Sequence, residues 1–164
     1  MNRKRSFDPV VNEKVELLIL GSLPGDASLA QNQYYAHPQN QFWRLMAEVI
    51  GVPLPMLDYQ TRLTALLENR IGLWDVIAEA HRTGSLDSNI HSLTSNNLIS
   101  VVNNLPHLST IAFNGGTAAR LGLKTLKDKA SHYQVITLPS SSPAHTMPYL
   151  NKLIAWRSLQ KLSA

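Results

Sequence analysis

The sequence predicts a single α/β domain built around a parallel β-sheet. Short apolar segments alternate along the chain with helical patterns, which is the order expected of strand–helix–strand units. The 164 residues are 44% hydrophobic and 16% charged, and no internal repeat, low-complexity tract or linker interrupts them. These values suit one domain with a sizeable core. We therefore expect residues 1–164 to form one domain, with residues 1–9 as a basic N-terminal segment that can be flexible.

The first half of the chain contains two strand-like segments and two helical patterns. Residues 15–20 are mostly apolar and predict a buried first strand. Asn40 opens a helical pattern that has its apolar residues on one face and ends at residues 51–53. Residues 59–67 predict a second helix, and residues 71–76 form a short apolar strand or turn.

The second half continues this alternation. Residues 98–105 carry an apolar helical face, and residues 109–114 predict a strand. Two glycines at 115–116 form a tight turn into another helix, and residues 133–138 predict the last strand. Thr146 is placed to cap a final helix. We expect its inward face to carry three apolar residues: Leu150, Leu153 and Ile154.

Three connections should meet at one edge of this sheet, because ligands of parallel sheets bind beyond the carboxyl ends of the strands. They are the loop after Leu20, the turn at residues 114–116 and the loop after Leu138. Residues 23–25 (LPG) fit a tight turn in which glycine lets the backbone approach a ligand. Residues 139–143 (PSSSP) are either an ordinary exposed loop or a phosphate acceptor with backbone and hydroxyl donors.

Several side chains in these loops have both a structural and a functional interpretation. Asn40 fits a helix N-cap, whose oxygen would accept from the helix backbone while its amide nitrogen donates to a ligand. Tyr34 and Tyr35 are either core residues or a platform for a planar base. Asp75 and Asp87 favour structural hydrogen bonding over general-base chemistry.

Composition and missing motifs exclude several kinds of chemistry. The chain has no cysteine, which excludes disulfides, thiolate nucleophiles and cysteine-ligated metals. Phosphate-loop and dinucleotide motifs are absent, and the six histidines have no metal-ligand spacing. The serines at 140–142 lack the nucleophile elbow of esterases, so a serine hydrolase is a weak alternative. The formal net charge of +4 favours an anionic partner, with nucleic acid first.

Several motifs together resemble the uracil-DNA glycosylase superfamily. Three of them are residues 21–25 (GSLPG), 35–43 (YAHPQNQFW) and 138–144 (LPSSSPA). Residues 72–76 (GLWDV) and 84–88 (GSLDS) resemble the hypoxanthine-DNA glycosylase (DNA-deoxyinosine glycosylase) branch in particular. The resemblance extends from the first strand to the last helix, and its combined spacing is specific.

The resemblance implies a three-layer α/β/α fold around a central four-stranded parallel sheet. It also implies a monofunctional glycosylase that flips a deaminated base out of double-stranded DNA, or takes it from single-stranded DNA. Hydrolysis of the N-glycosidic bond would leave an abasic site for base excision repair. The mismatch-specific uracil branch carries Asn where this chain has Leu23, and the iron–sulfur branches need cysteines. These departures favour hypoxanthine as the base removed.

The motif positions imply roles for particular residues. Asn40 matches the catalytic amide, and Tyr35 matches the aromatic residue that stacks on the flipped base. The expected base-binding residues are Ser22, Leu23, Pro24, Gly25, Tyr35, Asp75 and Asn114. The expected DNA-binding residues are Pro139, Ser140, Ser141, Ser142, Pro143, Ala144 and His145. Asp26 directly follows the first turn, and we take it as the candidate for activating a water molecule.

Three other functions stay open at this point: a uracil or mismatch-specific glycosylase of the same superfamily, a non-catalytic nucleic-acid-binding domain, and a small-molecule serine hydrolase. No metal or organic cofactor is required. The basic residues 2–5 lead into residues 6–9, which are not the apolar core of a secretion signal, and no run is long enough to span a bilayer. We expect a cytoplasmic monomer that is associated with the nucleoid when it acts on DNA.

Overall fold

The computed structural model describes the backbone of residues 3–162 and the side chains of residues 3–160. Its strands are β1 (Arg3–Arg5), β2 (Leu17–Gly21), β3 (Ile71–Asp75), β4 (Ile77–His81), β5 (His91–Ser95), β6 (Thr110–Asn114) and β7 (Gln134–Leu138). Its α-helices are α1 (Asp26–Gln31), α2 (Phe42–Ile50), α3 (Tyr59–Glu68), α4 (Leu98–Asn103), α5 (Gly116–Leu126) and α6 (Tyr149–Trp156). No helix in the described part of the chain is long and apolar enough to cross a membrane.

A four-stranded parallel sheet forms the middle layer, as the resemblance implied. Its strand order is β3-β2-β6-β7, and every neighbouring pair is parallel. β2, β3 and β6 are buried along their whole length, which explains why they are continuous apolar runs in the sequence. The register brings Gly21 beside Asp75 and Asn114 beside Leu138 at the carboxyl edge.

Alternate residues of β2 contribute to two separate cores, one on each face of the sheet. Leu17 and Ile19 belong to a core rich in aromatic residues from α2 and α6, in which Phe42 and Trp156 meet edge to face at 5.8 Å. Leu18 belongs to a second core with residues of α4 and α5. The alternation follows from the period of two along a strand. Helices therefore cover both faces, and the predicted three-layer fold is confirmed.

A second, antiparallel sheet has the strand order β1-β4-β5 and was not predicted. β4 follows β3 after a single residue, Val76, and β5 is exposed along its whole length, so it shows no apolar pattern. Residues 3–5 were expected to belong to a flexible segment, but they form β1 and pair with residues 79–81 of β4. Residues 1 and 2 lie outside the described part of the chain.

The final helix begins later than the sequence predicted. Pro148, not Thr146, is its N-cap, and the backbone of Pro148 (φ −56°, ψ 143°) is non-helical, as that of an N-cap residue is. Leu153 is buried as expected, whereas Leu150 and Ile154 are 68% and 73% exposed. The buried face is set instead by Leu153 and Trp156, which pack into the aromatic core. The short helix α1 was also missed.

Close packing between α5 and β6 gives a test of this fold. An added Cβ at Gly122 would lie 2.2 Å from the Phe113 ring, whereas one at Gly116 would have no neighbour within 4 Å. Gly122→Ala should lower the free energy of unfolding by about 1–3 kcal/mol because it overpacks the core. Gly116→Ala, the matched control, should leave it unchanged or raise it slightly. Denaturant unfolding measures both, and equal stability of the two variants would contradict the packing described.

Candidate active site

The carboxyl edge of the parallel sheet opens into a cavity of about 690 Å³, which we call the main cavity. A volume of this size is typical of ligand sites. Most of the predicted site residues line it: Ser22, Leu23, Pro24, Gly25, Tyr35, Asn40, Asp75, Asn114 and residues 140–145. The structure therefore brings these predicted residues together around one cavity.

Gly21 ends β2 and forms part of the main cavity beneath two polar side chains. An added Cβ at this position would lie 2.6 Å from Asp75 Oδ1 and 2.9 Å from Tyr35 Oη. Any larger residue would displace one of these groups, so the close approach requires glycine. Asp75 Oδ2 and Tyr35 Oη are both buried without a hydrogen-bond partner in the described structure. Unpartnered buried polar atoms are costly, and here they face a cavity where a ligand can satisfy them.

Tyr35 is held by stacking on one face of its ring. The ring lies nearly parallel to Phe42, with 4.0 Å between the centroids. Its backbone adopts the left-handed conformation (φ 56°), which is uncommon for a residue other than glycine. Strain of this kind often marks a functional site. Tyr34, by contrast, is a core residue, because its hydroxyl donates to the carbonyl of Asp8 and its ring is buried.

Asn40 lines the main cavity just before α2. Its Oδ1 accepts a hydrogen bond from the backbone N–H of Phe42 at 3.0 Å, so the predicted contact with the helix start is present, although the formal N-cap is Gln41. Because that N–H can only donate, it fixes which end of the amide is oxygen. In the described part of the chain no acceptor takes a hydrogen bond from Asn40 Nδ2. The amide is therefore oriented by the helix and keeps a donor for a ligand.

The loop of residues 139–145 is fixed by a reciprocal pair of hydrogen bonds. Asn114 Nδ2 donates to Ser141 Oγ and the N–H of Ser141 donates to Asn114 Oδ1, each at 2.9 Å. Ser140 Oγ accepts from the N–H of Ser142 and Ser142 Oγ accepts from the N–H of Ala144. Within the described residues none of these hydroxyls bonds to a histidine, so the serine hydrolase alternative finds no catalytic base.

A buried arginine, which the sequence did not predict as a site residue, holds the part of the cavity lining that includes Pro24 and Asp87. Arg82 lines the main cavity and donates to the carbonyls of Pro24 and Gly84. It also pairs with Asp87 at 3.4 Å, and Asp87 accepts from the Ser22 hydroxyl at 2.8 Å. These contacts connect Arg82, which directly follows β4, to the turn of residues 21–25 after β2. Arg82 reaches the main cavity because it directly follows β4 of the small antiparallel sheet. No apolar pattern in the sequence predicted that sheet.

The main cavity raises the pKa values of two acidic groups that line it, Asp75 and Tyr35. Burial, with a smaller contribution from the negative charge of Asp87, raises the pKa of Asp75 to about 7, and Arg82 opposes the shift. Burial likewise raises the pKa of Tyr35, so its hydroxyl is protonated at neutral pH. In the described residues there is no group of three or more carboxylate, histidine or cysteine side chains that could hold a metal ion.

Comparisons with known proteins now decide the family. The family model of the Uracil DNA glycosylase superfamily matches residues 9–160. The chain belongs to the uracil DNA glycosylase superfamily. It is 40% identical to a hypoxanthine DNA glycosylase of Methanosarcina barkeri, over 94% of this chain and 96% of that protein. It is 39% identical to a hypoxanthine DNA glycosylase of Methanosarcina acetivorans, over 95% and 97% of the two chains.

A solved structure agrees with this assignment. The fold is similar to that of a Methanosarcina acetivorans protein determined by solution NMR as a candidate uracil DNA glycosylase, with a TM-score of 0.87 and 38% identity. The match covers 98% of each chain. The superfamily and the branch that the sequence motifs predicted are therefore confirmed.

Two predicted site residues of this superfamily member lie away from the main cavity. The Asp26 carboxylate does not line it and pairs with Lys4, with 60% of the side chain exposed. Pro139 is also absent from the lining, and its carbonyl accepts from the Trp156 indole at 2.9 Å. Leu23 lines the cavity but packs with Ile77 of the small sheet.

The raised pKa of Asp75 predicts a pH-dependent stability. The folded protein keeps a proton that the unfolded chain releases between the ordinary carboxyl value of about 4 and about 7. The free energy of unfolding should therefore fall, by on the order of a few kcal/mol, as pH rises through this window. Asp75→Asn should lose this decrease, and Asp128→Asn, an exposed control, should keep it. Thermal or denaturant unfolding across the window measures it, and a decrease that persists in Asp75→Asn would refute the assignment.

Proposed function

We propose that this protein is a monofunctional DNA glycosylase that excises deaminated bases, foremost hypoxanthine, and leaves an abasic site for base excision repair. The observation that carries the proposal is the Asn40 amide: its residue lines the main cavity, its oxygen is fixed by the start of α2, and its nitrogen has no acceptor within the described residues. The names of the two Methanosarcina relatives support hypoxanthine as the base. The described lining of the main cavity contains no lysine, which supports hydrolysis without a covalent imine.

Base capture requires that the damaged nucleotide leave the duplex. A base inside the helix cannot be reached, and flipping it costs a few kcal/mol, less when it pairs poorly. Phe42 covers one face of the Tyr35 ring and Tyr35 lines the main cavity, so we assign the opposite face to stacking on the flipped base. In its protonated form the Asp75 carboxyl can donate to an oxygen or ring-nitrogen acceptor of a purine such as hypoxanthine.

Bond cleavage builds negative charge on the departing base and positive charge on the sugar, as in other glycosyl transfers. The Asn40 amide would donate to the base where this charge develops. Its orientation costs nothing during the reaction, because the N–H of Phe42 already holds the oxygen end. A water molecule then attacks the sugar, and the DNA phosphates supply part of the electrostatic stabilisation. Asp26 receives no role, since its carboxylate lies outside the main cavity.

The DNA backbone would be held by the loop of residues 139–145. The hydroxyls of Ser140 and Ser142 accept from backbone N–H groups, so their own protons remain free to donate to phosphate oxygens. Pro143 and Ala144 are exposed at the rim, where they can press into the base stack. We propose that residues 1–164 act as one glycosylase domain, that the substrate is double-stranded DNA with single-stranded DNA as a second form, and that the protein works as a monomer in the cytoplasm.

The decisive experiment uses labelled duplexes that carry hypoxanthine, uracil, xanthine or a normal base, followed by alkaline cleavage of abasic sites. Strand breaks that depend on hypoxanthine support the proposal. Faster cleavage at uracil would favour the uracil or mismatch-specific alternative. Binding without alkali-labile sites would identify a nucleic-acid-binding domain without catalysis.

Asn40→Ala should bind hypoxanthine DNA but lose about a hundredfold or more in single-turnover cleavage rate, because a preoriented donor is removed. Asn97→Ala is the matched control, since Asn97 caps α4 through the N–H of Ser100 at 3.1 Å and is not part of the main cavity's lining. It should lower stability by about 1 kcal/mol and leave the rate unchanged. Near-normal cleavage by Asn40→Ala would reject the catalytic assignment.

A further inference from the structure

A second cavity of about 600 Å³ adjoins the main cavity, and we call it the side cavity. Asn40, Pro143 and His145 line both cavities, so the two share a wall. The charged residues lining the side cavity are Arg44 and Lys152, and no carboxylate belongs to its described lining. The proposed glycosylase chemistry uses neither cation, and the side cavity therefore needs a separate explanation.

Lys152 is a buried cation without a counter-charge. Only 1% of the residue is exposed, and within residues 3–160 no carboxylate pairs with it. Its Nζ donates one hydrogen bond, to the carbonyl of Ser142 at 3.1 Å, which leaves two of its three N–H groups. Burial lowers the pKa of Lys152, which reflects the cost of keeping its charge there. Buried charges are normally paired, so the missing partner points to an anion that is not part of the protein.

Two further polar side chains, those of Arg44 and Gln41, line the side cavity together with Lys152. The Arg44 guanidinium lies 4.0 Å from the centroid of the Tyr149 ring, which restrains it at the edge of the side cavity. Gln41 lines the side cavity, and its Oε1 is buried without a partner. The oxygen and nitrogen of an amide are assigned from their contacts, and turning this one by half a revolution would offer an N–H to an anion.

We propose that the side cavity binds a backbone phosphate of the DNA strand next to the nucleotide that enters the main cavity, with Lys152 and Arg44 as its contacts. The proposal rests on the proposed function, because that function brings DNA to the shared wall. The loop of residues 139–145, which we call the serine loop, accepts a hydrogen bond from Lys152 Nζ through the Ser142 carbonyl. Phosphate binding at Lys152 would therefore also hold in place the loop that grips the flipped nucleotide.

The test measures the affinity for a hypoxanthine duplex at several salt concentrations. Each lost phosphate contact should reduce the slope of log K against log salt by roughly 0.9. Lys152→Met keeps the apolar stem and removes the charge, and Arg44→Met does the same at the exposed site. Each should reduce the slope by about one contact and weaken binding several-fold at low salt. Lys124→Met, on the exposed side of α5, is the matched control and should change neither.

Two outcomes would overturn the proposal. One is an unchanged slope in both Lys152→Met and Arg44→Met, and the second variant decides the matter if the first fails to fold. The other combines two results. Millimolar inorganic phosphate stabilises the wild type against heat but not Lys152→Met, and the salt slope of DNA binding is the same in both proteins. That combination would identify a site for a free anion. Loss of slope in a protein that makes no abasic sites would retain the phosphate site and reject only the proposed function.

Discussion

The site depends on the reciprocal hydrogen bonds between Asn114 and Ser141. Asn114 ends β6 in the middle of the sheet, and Ser141 is fully buried in the loop after β7. The same serine accepts a third bond through its carbonyl from the N–H of Gln41 at 3.0 Å, immediately before α2. One residue thus joins the sheet, the serine loop and the segment that carries Asn40. Losing either partner would leave buried polar groups unsatisfied, at about 1–3 kcal/mol each.

This rigid frame lets the main cavity keep groups that the protein does not satisfy. Asp75 and Tyr35 present buried oxygens without partners above Gly21, and Tyr35 has a left-handed backbone. Such features lower stability, and the two cores on either side of the sheet must offset them. Phe42 serves both purposes, since it packs in the aromatic core and stacks on Tyr35. The position of the Tyr35 ring is therefore set by core packing.

The sequence predicted those parts of the molecule whose residues follow a regular pattern. The buried strands of the main sheet are continuous apolar runs, and the loops at their carboxyl ends follow from parallel topology. β5 is exposed throughout and has no such pattern, so the small sheet and the buried Arg82 that it positions were missed. Asp26 was predicted to reach the site because it follows a turn, but its position in the sequence does not determine where its side chain points. Its carboxylate pairs instead with Lys4 of the unpredicted strand β1.

Leu23 explains why the proposed chemistry is carried by the start of α2. Where the mismatch-specific branch carries Asn, this chain has the apolar residue Leu23. Leu23 packs against Ile77 of the small sheet. A polar amide at that position would meet the apolar Ile77 contact, and burying it there without a partner would be costly. In the proposed chemistry another residue that lines the main cavity therefore supplies the donor for the departing base. Asn40 can take this role because its oxygen is already bonded to the helix backbone and its nitrogen has no acceptor within the described residues.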